Sequence, residues 1–422
     1  MSISKFVIVG VSIIKISVLT RFLEKSDFGL MAIINVVLGF MYLFMNMGFN
    51  IGIIHKLKIS INEYSSLYFM NILLSLVVLF FVILAAPYIA QFYDDIRLIE
   101  LIYISSSCVI ISAIGKQFNT ILQKKLKFKL IFFIDVISNL INLFVGISLA
   151  IYGFGVYALV YSLVASLIIE NILYFSIGIK QNPIKFHLKL SEVKPFLKIG
   201  VYQVGGQIIN FFNRDLDTIL IGKLLGSEIL GMYSLAKQLV FRPSSIINPI
   251  ITTVASPALA IIQNSKEYLK TTYLKILNLI TSLNFIVYTL LCIVAYPVVL
   301  VLYGENFIEI VPLVQLLCLY MFFRSIGNPI GSLVVATGRT DLEFYWNFIS
   351  LLIMPIFIVI GAKYNFMGVA LCLNLFMLLS IYPFYKIIIY RLLKINFQEY
   401  INCIVRFNFS YMTDIFLKVI KK

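Results

Sequence analysis

Polar side chains recur along one stretch of otherwise apolar sequence, between residues 197 and 225. They are Gln203, Gln207, Asn210, Arg214 and Asp217. Their successive spacings of four, three, four and three residues place them on one face of a helix. Polar groups without partners are costly in hydrocarbon, so such a face cannot point at lipid. The stripe therefore predicts a surface that lines water, a polar ligand or another polar helix.

Basic side chains slightly outnumber acids among the charges that lie inside apolar segments. The cations are Lys15, Arg214, Lys237, Arg242 and Arg324. The acids are Glu170, Asp215, Asp217 and, near the cytoplasmic interface, Asp135. A charge at the centre of a membrane helix costs at least ~2.5 kcal/mol on insertion scales, so each one invites a functional hypothesis.

An excess of buried cations suits an anionic ligand such as a phosphate or diphosphate. The guanidinium group is particularly suited, because its planar fork binds phosphate through two hydrogen bonds and stays charged. We therefore predict a cationic substrate-binding site for an anionic headgroup such as a diphosphate. Its predicted residues are Lys15, Gln207, Asn210, Arg214, Lys237, Arg242 and Arg324.

The same charges also admit a structural explanation, in which they pair with one another and fix helix packing. Arg214 and Asp217 lie one helical turn apart and suit such a pair. Asp217 and Glu170 could instead bind a coupling ion, H⁺ or Na⁺, or act as counter-charges. The five cysteines are scattered without CxxC spacing, and His55 and His187 lie in separate polar connectors. No metal or other cofactor is predicted.

These residues must be positioned by helices in a bilayer. Over the whole chain, 61% of the residues are hydrophobic and 13% are charged. Soluble domains have roughly 45–50% apolar and about 25% charged residues. Apolar stretches of about twenty residues, the length that crosses the hydrocarbon core, recur throughout. They predict an all-α polytopic membrane protein with about twelve transmembrane helices. The expected spans are 3–23, 30–54, 67–92, 98–122, 130–151, 156–179, 197–225, 230–260, 271–302, 308–337, 344–363 and 367–391.

Basic residues are concentrated in alternate connectors. With the N-terminus in the cytoplasm, the predicted cytoplasmic loops hold thirteen Lys and Arg residues, and the opposite loops hold Lys25, Arg97 and Lys363. The positive-inside rule then predicts that both termini are cytoplasmic. The same bias explains the net charge of +15 without a nucleic-acid partner.

The two halves of the chain share spaced motifs in the same order. Arg21 precedes Gly29 by eight residues, as Lys223 precedes Gly231. Internal repeats of this kind are typical of transporters. They predict an N-lobe at 1–179 and a C-lobe at 197–392, each of six helices. The lobes are expected to be related by a pseudo-twofold along the membrane normal and to enclose a central cationic cavity. The predicted cytoplasmic connector is 180–196, and a basic tail follows at 393–422.

Several stretches resemble the Wzx-type polysaccharide flippases, in the lipopolysaccharide and colanic-acid branch of the multidrug/oligosaccharidyl-lipid/polysaccharide exporter superfamily. The matching stretches include 19–30, 117–129, 210–231 and 324–332. This resemblance implies alternating-access export of an undecaprenyl-diphosphate-linked oligosaccharide, the repeat unit of an O-antigen, capsule or exopolysaccharide. The cargo would move from the cytoplasmic to the periplasmic leaflet of a bacterial inner membrane. The implied partners are that lipid-linked oligosaccharide, membrane lipid, a polysaccharide polymerase and a chain-length regulator.

Two other functions compete with this interpretation. A lipid II or multidrug exporter of the same superfamily would share the fold, although a carrier of cationic drugs needs a cavity dominated by acids. A membrane-embedded polysaccharide polymerase or glycosyltransferase needs catalytic residues on a substantial loop, whereas the predicted non-cytoplasmic loops are only a few residues long. A non-enzymatic exporter is therefore the favoured prediction.

Overall fold

The computed structural model describes residues 2–45, 53, 56 and 59–406, and within them the chain is helical and has no β-strand. The helices of the first part are α1 (Ser2–Leu19), α2 (Lys25–Met45), α3 (Ile61–Tyr93), α4 (Arg97–Lys124), α5 (Phe128–Ile151), α6 (Val156–Gln181) and α7 (Leu190–Ile261). Those that follow are α8 (Lys266–Ile293), α9 (Ala295–Tyr303), α10 (Val311–Ser325), α11 (Ile330–Ala336), α12 (Thr340–Ala362), α13 (Phe366–Phe384), α14 (Tyr390–Leu393) and α15 (Phe397–Val405). The predicted all-α class is confirmed.

Ten segments of the described chain are long and apolar enough to cross a membrane. The helix α1 adds a shorter apolar stretch, Val7–Leu19. Because apolar helices of this length match the hydrocarbon core of a bilayer, the chain is a multi-pass membrane protein. The number of twelve spans stays a prediction, since one of the ten segments, Val204–Ile261, has 58 residues.

The long helix α7 is two helices joined at Gly226. A straight helix of 72 residues would extend roughly 108 Å, far more than the ~30 Å of one membrane crossing. At Gly226 the backbone adopts φ 84° and ψ 173°, a conformation that is open essentially to glycine alone. The break falls between the predicted spans 197–225 and 230–260.

Contacts between the described residues divide the chain into two compact units. The N-terminal unit is Met1–Met232 with Val301–Glu305, and the C-terminal unit is Tyr233–Leu300 with Asn306–Lys422. This division falls after Met232 rather than within the predicted connector at 180–196. The N-lobe at 1–179, the C-lobe at 197–392 and their pseudo-twofold therefore stay predictions.

Glycines set the close packing of α4 against α6 in the N-terminal unit. A Cβ atom on Gly115 would lie 2.5 Å from Asn171 Oδ1 and 2.7 Å from Asn171 Cα. A Cβ atom on Gly178 would lie 2.2 Å from a ring carbon of Phe118. Since only glycine has no Cβ, these two positions let the helices approach to backbone distance.

A second pair of glycines joins the start of α2 to the segment that follows Gly226. A Cβ atom on Gly29 would lie 1.8 Å from the backbone oxygen of Ser227, and one on Gly231 would lie 1.7 Å from that of Lys25. The two glycines occupy matching positions in the sequence repeat, and the contact is reciprocal. This arrangement leaves no space for a side chain at either position.

The C-terminal unit has its own apolar core beside α15. The ring of Trp346 packs against that of Phe384, with centroids 5.3 Å apart. The helix α15 lies on α8, where the side-chain amide of Asn278 donates to the backbone oxygens of Cys403 at 2.8 Å and Arg406 at 2.7 Å. Part of the predicted tail at 393–422 is therefore a packed helix, and residues 407–422 lie outside the described residues.

Candidate functional site

The polar stripe of α7 has an exposed part and a buried part. The side chains of Gln207, Asn210 and Arg214 are exposed, while Asp217 is buried. The Oδ1 atom of Asp217 accepts a hydrogen bond of 2.7 Å from the backbone N–H of Thr218. The side chain of Gln203 lies outside the described residues. The first three side chains thus lie at the surface, whereas Asp217 belongs to the packed side of the helix.

Arg214 forms a salt bridge with its neighbour Asp215. Its Nη2 and Nε atoms donate to Asp215 Oδ2 at 2.7 and 2.9 Å. The guanidinium carbon also lies 5.7 Å from the centre of the Phe211 ring, a cation–π distance. The salt bridge that the structure shows for Arg214 therefore joins it to Asp215, and the aromatic face helps to fix its position.

Two cations of the C-terminal unit meet at one aromatic ring. The Nζ atom of Lys237 and the guanidinium carbon of Arg324 each lie 5.6 Å from the centre of the Phe241 ring. Arg324 also donates to the hydroxyl of Tyr320 at 3.0 Å, and Arg242 is half-buried beside Phe241. The sequence placed Lys237 and Arg324 in different spans, and the fold brings them together.

Lys15 forms hydrogen bonds inside the N-terminal unit. Its ammonium group donates to Ser162 Oγ at 2.8 Å and also to Asn142 Oδ1. Gly146 provides room for the lysine stem, because a Cβ atom there would lie 2.9 Å from Lys15 Cε. Among the described residues Lys15 forms no ion pair, so the hydrogen bonds that stabilise its charge go to neutral oxygens.

Glu170 lies beside a charged residue that the sequence analysis missed, Lys116. Both line a cavity of about 380 Å³ between α2, α4 and α6. The signal for Lys116 was present, since it is a lysine inside the predicted span 98–122. In the described part of the chain, no group of three or more histidine, cysteine or acidic residues could hold a metal ion.

Comparison with known proteins places this arrangement in a family. Residues 18–312 match the family model described as polysaccharide biosynthesis protein. The chain is 30% identical over 402 residues to the lipopolysaccharide biosynthesis protein WzxC of Escherichia coli, covering 95% of this chain and 82% of that protein. It is 30% identical over 309 residues to the teichuronic acid biosynthesis protein TuaB of Bacillus subtilis, covering 73% of this chain and 64% of that protein.

A solved structure shares the fold at much lower sequence identity. The lipid II flippase MurJ in an inward closed conformation superposes with a TM-score of 0.75 at 16% identity, covering 96% of this chain and 89% of that chain. This likeness concerns the fold alone. The resemblance to the Wzx-type polysaccharide flippases is confirmed, and the chain belongs to the polysaccharide biosynthesis protein family.

Proposed function

We propose that the protein exports a lipid-linked, anionic oligosaccharide across a bacterial inner membrane by alternating access. The relatives named for lipopolysaccharide and teichuronic acid biosynthesis support this cargo class, and the exporter fold supports the transport mode. The cargo is an undecaprenyl-diphosphate-linked repeat unit. Its polyprenyl tail remains in lipid while the headgroup and sugars pass through the protein.

The observation that carries the proposal is the pair of cations at Phe241. A diphosphate that enters bare hydrocarbon meets an electrostatic penalty of tens of kcal/mol. Lys237 and Arg324 lie at the same ring within membrane-spanning helices, where they can share a diphosphate. At ~1.5–3 kcal/mol net for each charged hydrogen bond, a few such partners bind the headgroup without trapping it.

The other predicted residues take supporting roles. Arg214, with Gln207 and Asn210 on the exposed face of α7, offers a further cation and two amides to phosphate or sugar. Arg242 adds charge next to Phe241. Lys15, which has only neutral partners among the described residues, can donate to an anion without first leaving a carboxylate.

Two acids have a different role in the proposal. Asp217 and Glu170 are coupling sites for an ion or counter-charges for the neighbouring cations. Asp217 follows Arg214 on the stripe, and Glu170 lines a cavity together with Lys116. The negative charges of the two acids offset part of the cationic excess. They thereby keep the affinity of the site for its anionic cargo from becoming too high.

The proposed topology has twelve spans with both termini in the cytoplasm. The ten candidate segments, the apolar stretch of α1 and the break of α7 at Gly226 support this number. The proposed partners are membrane lipid, the lipid-linked oligosaccharide, a polysaccharide polymerase and a chain-length regulator. The protein acts as a carrier rather than an enzyme.

Alanine substitution of the cations tests the proposal. Lys237→Ala and Arg324→Ala should each abolish most surface polysaccharide in a strain that lacks its own flippase, at matched protein levels in the membrane. Arg214→Ala should do the same, whereas Arg214→Lys should keep partial export. The control is Lys223→Ala, because Lys223 pairs with Asp94 at 2.7 Å through exposed side chains. Normal export by all three alanine variants would show that these cations are structural.

A further inference from the structure

We propose that the cavity between α2, α4 and α6 binds the sugar part of the cargo, as one or two neutral pyranose rings. The inference rests on the proposed function and concerns the sugar rather than the diphosphate. The cavity has a volume of about 380 Å³, within the ~300–1,000 Å³ that is usual for small-ligand sites. It lies wholly within the N-terminal unit.

The lining has the chemistry of a carbohydrate site. It combines amides, hydroxyls, one ammonium and one carboxylate, supplied by Asn35, Tyr42, Ser112, Lys116, Asn119 and Glu170. Sugar hydroxyls both donate and accept, so they pair with carboxylate acceptors, ammonium donors and amides that do both. Tyr42 adds an aromatic face against which the apolar side of a ring can lie.

The two charged residues of the cavity make few polar contacts with the part of the chain that the structure describes. Among the described residues, neither the ammonium of Lys116 nor the carboxylate of Glu170 forms a hydrogen bond or an ion pair. The contact shown for Lys116 is with the ring of Tyr42, at 5.3 Å from the centroid. Charges inside a helix bundle are costly without hydrogen bonds, and a polyhydroxylated ligand would supply bonds to both at once. Because one positive and one negative charge face the cavity, a neutral sugar fits better than an acidic one.

Close contacts between helices fix the walls of the cavity. The close contact of Gly115 with Asn171 fixes α4 against α6 next to the cavity-lining Lys116 and Glu170. Gly178 and Phe118 repeat this contact further along the same two helices. A preformed site loses little conformational entropy when it binds, which matters for ligands that bind through hydrogen bonds alone.

The cavity also lies near a proposed headgroup cation. Gly39 lines the cavity, and a Cβ atom on it would lie 2.9 Å from Cε2 of Phe211. The same ring lies near Arg214, whose guanidinium carbon is 5.7 Å from the ring centre. One aromatic side chain thus separates the cavity from Arg214. A cargo whose sugar lies in the cavity could therefore place its headgroup towards Arg214.

Binding of two short-chain probes to the purified full-length protein in nanodiscs tests the inference. The probes are farnesyl diphosphate and farnesyl diphosphate that carries a single hexose. The wild-type protein should bind the hexose-bearing probe about tenfold more tightly, as one or two net hydrogen bonds predict. Asn35→Leu and Asn119→Leu, which each remove an amide from the cavity lining, should abolish this preference while the affinity for farnesyl diphosphate stays unchanged.

Matched controls are available in the C-terminal unit. Gln263→Leu and Asn264→Leu replace side-chain amides at exposed positions and should keep the preference. The inference is overturned if the cavity variants also keep it, or if they lose both probes equally, which would make Asn35 and Asn119 structural. Equal binding of both probes by the wild type would overturn the sugar site and leave the proposed function standing. Binding of neither probe would overturn both.

Discussion

The reciprocal contact of Gly29 and Gly231 makes a quantitative prediction about stability. An alanine at Gly29 would bring its Cβ atom to 1.8 Å from the Ser227 oxygen, whereas carbon and carbonyl oxygen normally approach no closer than about 3.3 Å. The two segments must therefore separate by about 1.5 Å. The obstacle is backbone rather than a flexible side chain, so rotamer changes cannot relieve it.

Overpacking of this kind costs typically ~1–3 kcal/mol, and we expect Gly29→Ala to lie toward the upper end. Gly231→Ala should behave alike, since its Cβ atom would lie 1.7 Å from the Lys25 oxygen. The double variant should lose less than the sum of the two, because the first alanine opens the gap that the second needs. The coupling between them should be ~0.5–3 kcal/mol, as for residues in direct contact.

Thermal unfolding of the purified protein in detergent, followed by circular dichroism, measures these effects. Each single variant should unfold several degrees below the wild type. Gly205→Ala is the control, because a Cβ atom there meets nothing within 4 Å, and an unstrained alanine in a helix is neutral or stabilising. Wild-type unfolding temperatures for Gly29→Ala and Gly231→Ala, or strictly additive losses in the double variant, would refute the reasoning.

Two further predictions concern α15 and its attachment to α8. Asn278→Leu removes the side-chain amide that donates to two backbone oxygens at the end of α15. Hydrogen exchange of the backbone amides in α15 should therefore accelerate about tenfold. Unchanged exchange would show that the apolar contacts alone hold the helix. Burial raises the pKa of the Cys403 thiol to about 11, and the thiolate is the reactive form. With the other cysteines replaced, Cys403 should therefore react slowly with maleimide at neutral pH. The comparison is a cysteine introduced by Gln398→Cys, at an exposed position of the same helix, which should react much faster. Equal rates would contradict this protection of Cys403.

The helices could be predicted from the sequence because their signal is local. Apolar length and composition fix a membrane-spanning helix whatever its neighbours are. The break at Gly226 agrees with the same reasoning, since a glycine falls between two predicted spans. The boundary between the compact units could not be predicted this way. It depends on which helices the segment 197–232 packs against, and packing choices leave no local pattern.

The sequence could name candidate residues for the site, but it could not predict which of them lie in contact. Lys15 was singled out because a charge inside a span is a candidate functional residue. The same criterion applied to the span 98–122 would have singled out Lys116. The partners of Lys15 lie 127 and 147 residues away along the chain, so no spacing could reveal them. The meeting of Lys237 with Arg324 at one ring likewise depends on the packing of separate helices.

The packing of Trp346 against Phe384 has a practical consequence. The chain contains a single tryptophan, and this one is partly buried against the apolar core of the C-terminal unit. Its fluorescence is therefore a site-specific reporter that needs no label and no engineered residue. Emission that shifts while the circular dichroism stays constant would mark a change in that unit without loss of helix. The protein thus carries an optical probe that can follow one of its units through a transport cycle.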